Sequence, residues 1–205
     1  MKICLERVSK RFQRYWIFKD IRYEFTAPGA WALLGANGSG KSTLLRVIAG
    51  MQSPSLGKII HTADGKTLEG NALFPYISFC APGMEIVEEL TLREFLAFHF
   101  SFKKMLPGFT VDKIIDTCGL KVAADKPLGD YSSGMKQRVK LAQAIFADTP
   151  VLLLDEPCTN LDEAGVAQYT GWMEKYGKDR LVIVASNDVR EYFFCKERIN
   201  VEDYK

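Results

Sequence analysis

The stretch Gly35-Ala36-Asn37-Gly38-Ser39-Gly40-Lys41-Ser42-Thr43 decides how the rest of the chain is read. It spells G-x-x-x-x-G-K-S, the P-loop pattern. An apolar run, Trp31 to Leu34, leads into it, and a helix-like run, Thr43 to Ala49, leads out. The motif therefore has the strand–loop–helix setting that it needs. Its glycines let backbone N–H groups turn inward and cradle phosphate oxygens. A helix starting near Lys41 adds its positive end to the same place. Lys41 is expected to reach the β- and γ-phosphates, and the Ser42 hydroxyl to hold Mg2+. A tight glycine turn without a ligand is the alternative, but it gives no reason for Lys-Ser after the last glycine.

The 205 residues suffice for one large domain or a domain with a subdomain, and an apolar fraction of 47% supports a packed core. A net charge of +2 implies neither an acidic nor a basic partner. Lys and Arg are scattered in runs no longer than two, which argues against direct binding of nucleic acid. Five cysteines without C-x-x-C spacing suggest a reduced cytosolic chain with incidental core thiols. The charged N-terminus does not resemble a signal peptide. The longest apolar runs, such as Val151 to Leu154, fall far short of the ~20 residues that span a bilayer.

Away from the P-loop, Ile3 to Val8 and Ile21 to Phe25 alternate as half-exposed strands do. Gly57 to His61 and Lys66 to Leu68, joined by Asp64-Gly65, predict a hairpin, and Pro75 to Cys80 another strand. Thr91 with Glu94 has capping-box spacing and opens a helix with Phe95, Phe98 and Phe102 on one face. Further helices are predicted over Thr110 to Cys118 and Ser133 to Ala147. Val151 to Leu154 (strand), Asp162 to Tyr176 (helix), Leu181 to Ala185 (strand) and Asp188 to Cys195 (helix) follow. Strands and helices alternate at both ends around an all-helical block, so the fold class is α/β with an inserted helical subdomain. The expected organisation is a single domain over 1–205, with a core of 1–82 and 147–205 and helices over about 83–146.

Val151-Leu152-Leu153-Leu154-Asp155-Glu156-Pro157 is a continuous apolar run ending in two carboxylates. Buried parallel strands have this composition, and their carboxyl ends are where such sheets bind ligands. Asp155 is the candidate for Mg2+ and Glu156 for the general base that polarises water. A solvated acidic turn is the alternative. Ser132, Ser133 and Gly134 open the predicted helix that leads towards Asp155, a second anion-ready helix start unless Ser132 is a plain N-cap.

The P-loop, the serine-glycine turn before an Arg/Lys-rich helix, the apolar-Asp-Glu strand and Asn160-Leu161-Asp162 stand in a set order. That order resembles the ATP-binding cassette (ABC) ATPases over nearly the whole chain. The resemblance implies a P-loop NTPase core with mixed or parallel sheet and N-terminal antiparallel strands. It implies ATP at Gly35, Asn37, Gly38, Ser39, Gly40, Lys41, Ser42 and Thr43, with Mg2+ at Ser42 and Asp155. It also implies that Ser132, Ser133 and Gly134 of one chain contact the γ-phosphate held by another, with Asp162 in the loop joining the two sites. Phe12 stands where the family stacks an aromatic on adenine, although Tyr15 and Trp16 are close by; a packed strand-end aromatic is the alternative. Ser133 and Met135 depart from the commonest signature.

Two departures bear on mechanism. The family places a glutamine after the strand corresponding to Pro75 to Cys80. This chain has no Gln between Gln52 and Gln137, and Pro82 stands in that place. Proline offers neither a side-chain donor nor an N–H. The family also has a histidine after the strand corresponding to Leu181 to Ala185, where this chain has Asn187; its histidines are His61 and His99. Asn can donate to phosphate but cannot carry a proton near neutral pH. ATP binding is thus expected to survive these changes better than turnover does.

The resemblance implies an ATP-hydrolysing subunit lying on the inner face of the cell membrane, in the cytoplasm, through a separate permease and paired with a second cassette, the same or similar. The aromatic-rich segment Gly83 to Lys103 corresponds to a groove for the permease, and Phe100, off the Phe95 stripe, is the expected contact. The end at Lys205 suggests no C-terminal regulatory domain, and the compact length is similar to exporter-type ATPases. A nucleotide-switched dimerisation module with weak hydrolysis is the second reading. A DNA-repair or ribosome cassette is the third; about ninety residues without sustained heptads separate Lys41 from Ser132, which argues against a long coiled-coil insert.

Overall fold

The computed structural model describes all residues, 1–205. Two sheets are formed. The first is antiparallel and has the order β2 (Tyr15–Thr26), β1 (Lys2–Phe12), β4 (Leu56–Ala63), β5 (Lys66–Leu68). The second is parallel throughout and has the order β6 (Ile77–Cys80), β7 (Val151–Asp155), β8 (Leu181–Ala185), β3 (Gly29–Leu34), β9 (Glu197–Asn200). The predicted hairpin is β4–β5, with Asp64 and Gly65 both at positive φ in the turn.

The parallel sheet is buried on both faces, which explains the unbroken apolar runs of β7 and β8. Successive side chains of a strand point to opposite faces, and each strand feeds two cores. Leu33, Val151, Leu153, Leu181 and Ile183 pack with Ile3, Leu5, Phe18 and Phe25 of the antiparallel sheet and with α1 (Lys41–Ile48). Leu152, Leu154, Val182 and Val184 face the other way, onto α2 (Leu92–Phe102), α3 (Val111–Thr117), α4 (Ser133–Ile145) and α5 (Glu163–Tyr176). The helical block therefore shares one core with the sheet through Leu96, Ile114, Val139 and Ile145.

Helix starts follow their sequence signals. Thr91 forms a full capping box with Glu94, Thr110 caps α3, Ser132 caps α4 and Asp162 caps α5. Two expectations fail. Asp188 to Cys195 is not a helix: only Val189–Glu191 forms a single 3-10 turn, although Asp188 does cap it. The carboxylate of Glu191 and its carbonyl are both engaged by other elements, and those tertiary bonds replace the helical ones. The edge strand β9 was not anticipated, because only Ile199 of its four residues is buried. No helix is long and apolar enough to cross a membrane, and all five cysteines are free, four of them buried.

Candidate nucleotide site

The P-loop leaves β3 at its carboxyl end and wraps around Lys41, which is only 6% exposed. Its ammonium donates to the carbonyls of Gly35 (2.7 Å) and Ala36 (3.2 Å), so it is met by dipoles rather than by a carboxylate. Gly40 caps α1 at φ +108°, a backbone state that disfavours a side chain. A Cβ there would also lie 2.4 Å from Cγ2 of Ile17 on β2. Ser39 Oγ is buried without a hydrogen-bond partner inside the same loop. A buried lysine and a helix start converge on one small concavity, with an unpaired hydroxyl buried in the same loop, an arrangement suited to an anion.

Adjacent strands bring the other groups to this end of the sheet. Asp155 ends β7, and its Oδ1 accepts from Ser42 Oγ at 2.8 Å across 113 residues of sequence. Burial raises the Asp155 carboxyl above its ordinary pKa, opposed by the Ser42 bond. A hydroxyl and a carboxylate oxygen side by side form the hard-donor pair that a small divalent cation takes. Glu156 follows at φ +42°, the left-handed region, with its N–H donated to the Ala185 carbonyl of β8 at 2.9 Å. Asn187, just beyond β8, donates from Nδ2 to Oδ1 of Asn37 in the P-loop at 3.2 Å. A cleft of about 200 Å³ is lined by Ile17, Asn37, Gly38, Gly40, Lys41, Ser42, Thr43 and Glu156. It adjoins a second cleft that carries Glu156, Thr159, Asn187 and Glu191.

The remaining candidates lie elsewhere. Phe12 ends β1, 47% exposed, with the Lys10 ammonium 5.2 Å from its ring centre; it does not line the P-loop cleft. Ile17 does line it, and nothing in the sequence singled that residue out. Ser132, Ser133 and Gly134 open α4 on the surface, outside both clefts. Gly134 packs against the turn after Glu156: a Cβ on it would lie 2.9 Å from the Asn160 carbonyl. Arg138 Nη2 donates to Asp162 Oδ1 at 2.9 Å, and buried Gln137 Nε2 donates to the Pro157 carbonyl at 2.8 Å. Helix α4 is thus bolted to the loop that follows Asp155 and Glu156.

Pro82 follows β6, and its carbonyl accepts from Lys140 Nζ at 2.7 Å. Met51, Phe74, Phe98, Phe102 and Lys103 line an apolar groove of about 470 Å³, to which Pro82 does not contribute. The aromatic stripe divides: Phe95 is core, whereas Phe98 (56%) and Phe102 (62%) are exposed. Phe100, the residue expected to be free, packs half-buried against the core instead. The helical period put the right three residues on one face, but period alone does not say what that face meets.

The family profile described as "ABC transporter" matches residues 18–159. The chain belongs to the ABC transporter family. Among its relatives, this cassette is 35% identical over 178 residues to the sulfate/thiosulfate import ATP-binding protein CysA of Synechocystis, an alignment covering 85% of the chain and 50% of that protein. It is 33% identical to the cytochrome c biogenesis ATP-binding export protein CcmA of Agrobacterium fabrum, covering 91% and 89% respectively. The chain spans about half the length of the CysA relatives it matches. The fold is that of a dimeric ATP-binding cassette solved in a post-hydrolysis state with ADP and Pi (TM-score 0.82, 20% identity, 98% and 95% coverage). It is equally that of a Pyrococcus furiosus ABC ATP-binding protein (TM-score 0.80, 22% identity, full coverage of both).

Proposed function

We propose that this cassette binds and hydrolyses ATP to power a membrane transporter, working as one of two cassettes that share their sites. The observation that carries the reading is the meeting of Lys41, Ser42, Asp155, Glu156 and Asn187 at the carboxyl ends of β3, β7 and β8. Lys41 and the loop amides hold the β- and γ-phosphates, and their charge replaces the water lost on binding. Mg2+ suits the Ser42–Asp155 pair, and when bound it neutralises charge on the phosphates. Glu156 accepts a proton from the attacking water as general base, a role worth about 10²–10⁴ in rate. Asn187 donates to the γ-phosphate from the amide that now rests on Asn37.

Ser132, Ser133 and Gly134 lie outside their own chain's clefts, which suits contact with the γ-phosphate of a second cassette, identical or similar. Asp162, held by Arg138, belongs to the loop between the two sites. Phe12 is free to stack on adenine. The apolar groove with Phe74, Phe98 and Phe102 suits a short helix of a separate permease. Through it the cassette lies on the cytoplasmic face of the membrane, without crossing it and without nucleic acid. The relatives' names include both import and export proteins.

Steady-state phosphate release with Mg-ATP tests the reading, with Glu156→Gln as the blank. Turnover above the blank is the expected result. Absence of turnover together with absence of ATP-dependent dimerisation would overturn it.

A further inference from the structure

One buried carboxylate without a role in that scheme stands against the turn that carries Glu156. Glu191 closes the 3-10 turn Val189–Glu191 and is 4% exposed. Its Oε1 accepts the backbone N–H of Cys158, two residues past Glu156, at 2.6 Å. Its own carbonyl accepts from the buried Tyr169 hydroxyl of α5 at 2.6 Å.

A non-glycine residue at φ +42°, as Glu156 is, persists only where its surroundings hold it. Three bonds from other elements do so here: Ala185 on the N–H of Glu156, Gln137 on the carbonyl of Pro157, and Glu191 on the N–H of Cys158. Only the last comes from an ionisable acceptor, and bonds to a charged acceptor are about twice as strong as neutral ones. Without it the Cys158 N–H would be a buried donor with no partner.

We propose that Glu191 is a positioning residue for Glu156. Anchored by Tyr169, its carboxylate fixes the turn from Glu156 to Asn160 and with it the direction of the Glu156 side chain. Because Glu191 also lies four residues after Asn187, one clamp sets the two loops that flank the cleft. The inference rests on Glu156 being the general base.

Two readouts separate this clamp from general damage: exchange of the Cys158 amide in the nucleotide-free chain, and kcat and KM for Mg-ATP. Glu191→Ala is expected to speed the exchange tenfold or more, by about the loss of one charge-assisted hydrogen bond. It should lower kcat by about ten- to a hundredfold, with KM within about twofold of the parent chain. Glu191→Gln keeps a neutral acceptor oxygen at the same reach and is expected to restore a large part of both. Tyr169→Phe, which removes only the anchoring hydroxyl, should show a smaller effect in the same direction and serves if the alanine variant does not fold. Unchanged exchange in Glu191→Ala, or a loss of kcat that Gln does not rescue, overturns the proposal. If the parent chain itself shows no turnover above Glu156→Gln, the hydrolysis reading fails, and the exchange comparison alone decides the clamp.

Discussion

At the scale of single residues, Lys41 and Asn187 allow the proposed binding and turnover to be tested separately. Lys41 is a buried cation met only by two carbonyls. Hydrogen bonds to charged groups are worth about 1.5–3 kcal/mol, so Lys41→Ala should weaken ATP binding by roughly ten- to a hundredfold in a fluorescent-nucleotide titration. Asn187 tests the other half. Its amide can donate but not shuttle a proton. Asn187→His is expected to raise phosphate release, and an unchanged rate would remove the argument that this position limits turnover. Lys103 is a residue of a different kind. Burial, aided by Arg180, brings its pKa down to about 8 from the ordinary value of 10.5. A lysine whose folded pKa is depressed penalises folding while it is charged in both states, below about pH 8, and the penalty fades as pH rises towards 10.5. Relative to Lys103→Met, the parent chain should therefore gain a few °C in Tm between about pH 8 and 10; parallel curves would contradict this.

At the scale of elements, caps were legible and tertiary competition was not. Thr91 caps where its spacing to Glu94 predicted, Thr110 and Asp162 cap at the predicted helix starts, and Ser132 makes the plain N-cap that was the alternative reading of its turn. Such signals are local, and each is complete within four residues. Thr91→Ala removes the half of the box made by the Thr91 hydroxyl, leaving the backbone N–H of residue 91 on Glu94, and is expected to cost about 1 kcal/mol, or about 2–4 °C in Tm, measured by thermal melting. The segment after Asp188 has the same kind of cap but does not continue as a helix, because Glu191 bonds to Cys158 and Tyr169 instead. Those partners are 33 and 22 residues away in sequence, and no local pattern encodes them. β9 was missed for a related reason: an edge strand with one buried residue has almost no periodicity to read. The site shows the same division. The P-loop and Asp155-Glu156 follow directly from sequence order, whereas Ile17 enters the cleft only because β2 crosses Gly40. The apolar stripe on α2 revealed its face but not its exposure, since Phe98 and Phe102 pack edge to face with each other at 5.2 Å in the open groove.

At the scale of the whole molecule, the layering separates two surfaces. The carboxyl ends of the parallel strands carry the clefts, while residues of β6 and α2 line the groove. Helix α4 connects these regions to the turn after Glu156, through Gln137 on Pro157 and Gly134 against Asn160. On the proposed reading, the P-loop half of a site lies at one place in the chain and the Ser132–Gly134 half at another. In a symmetric pair each whole site then draws one half from each chain. Complementation follows directly from that geometry. Lys41→Ala spoils the P-loop half, and Ser132→Arg spoils the signature half, so each variant alone should be inactive. In a mixed pair, the intact P-loop of the Ser132→Arg chain meets the intact signature of the Lys41→Ala chain. One of the two sites is whole again. Phosphate release by an equal mixture should therefore return to about a quarter of the parent rate, because half the pairs are mixed and each has one working site. A mixture as inactive as its components would mean that each chain completes its own site, and Ser132, Ser133 and Gly134 would need another role.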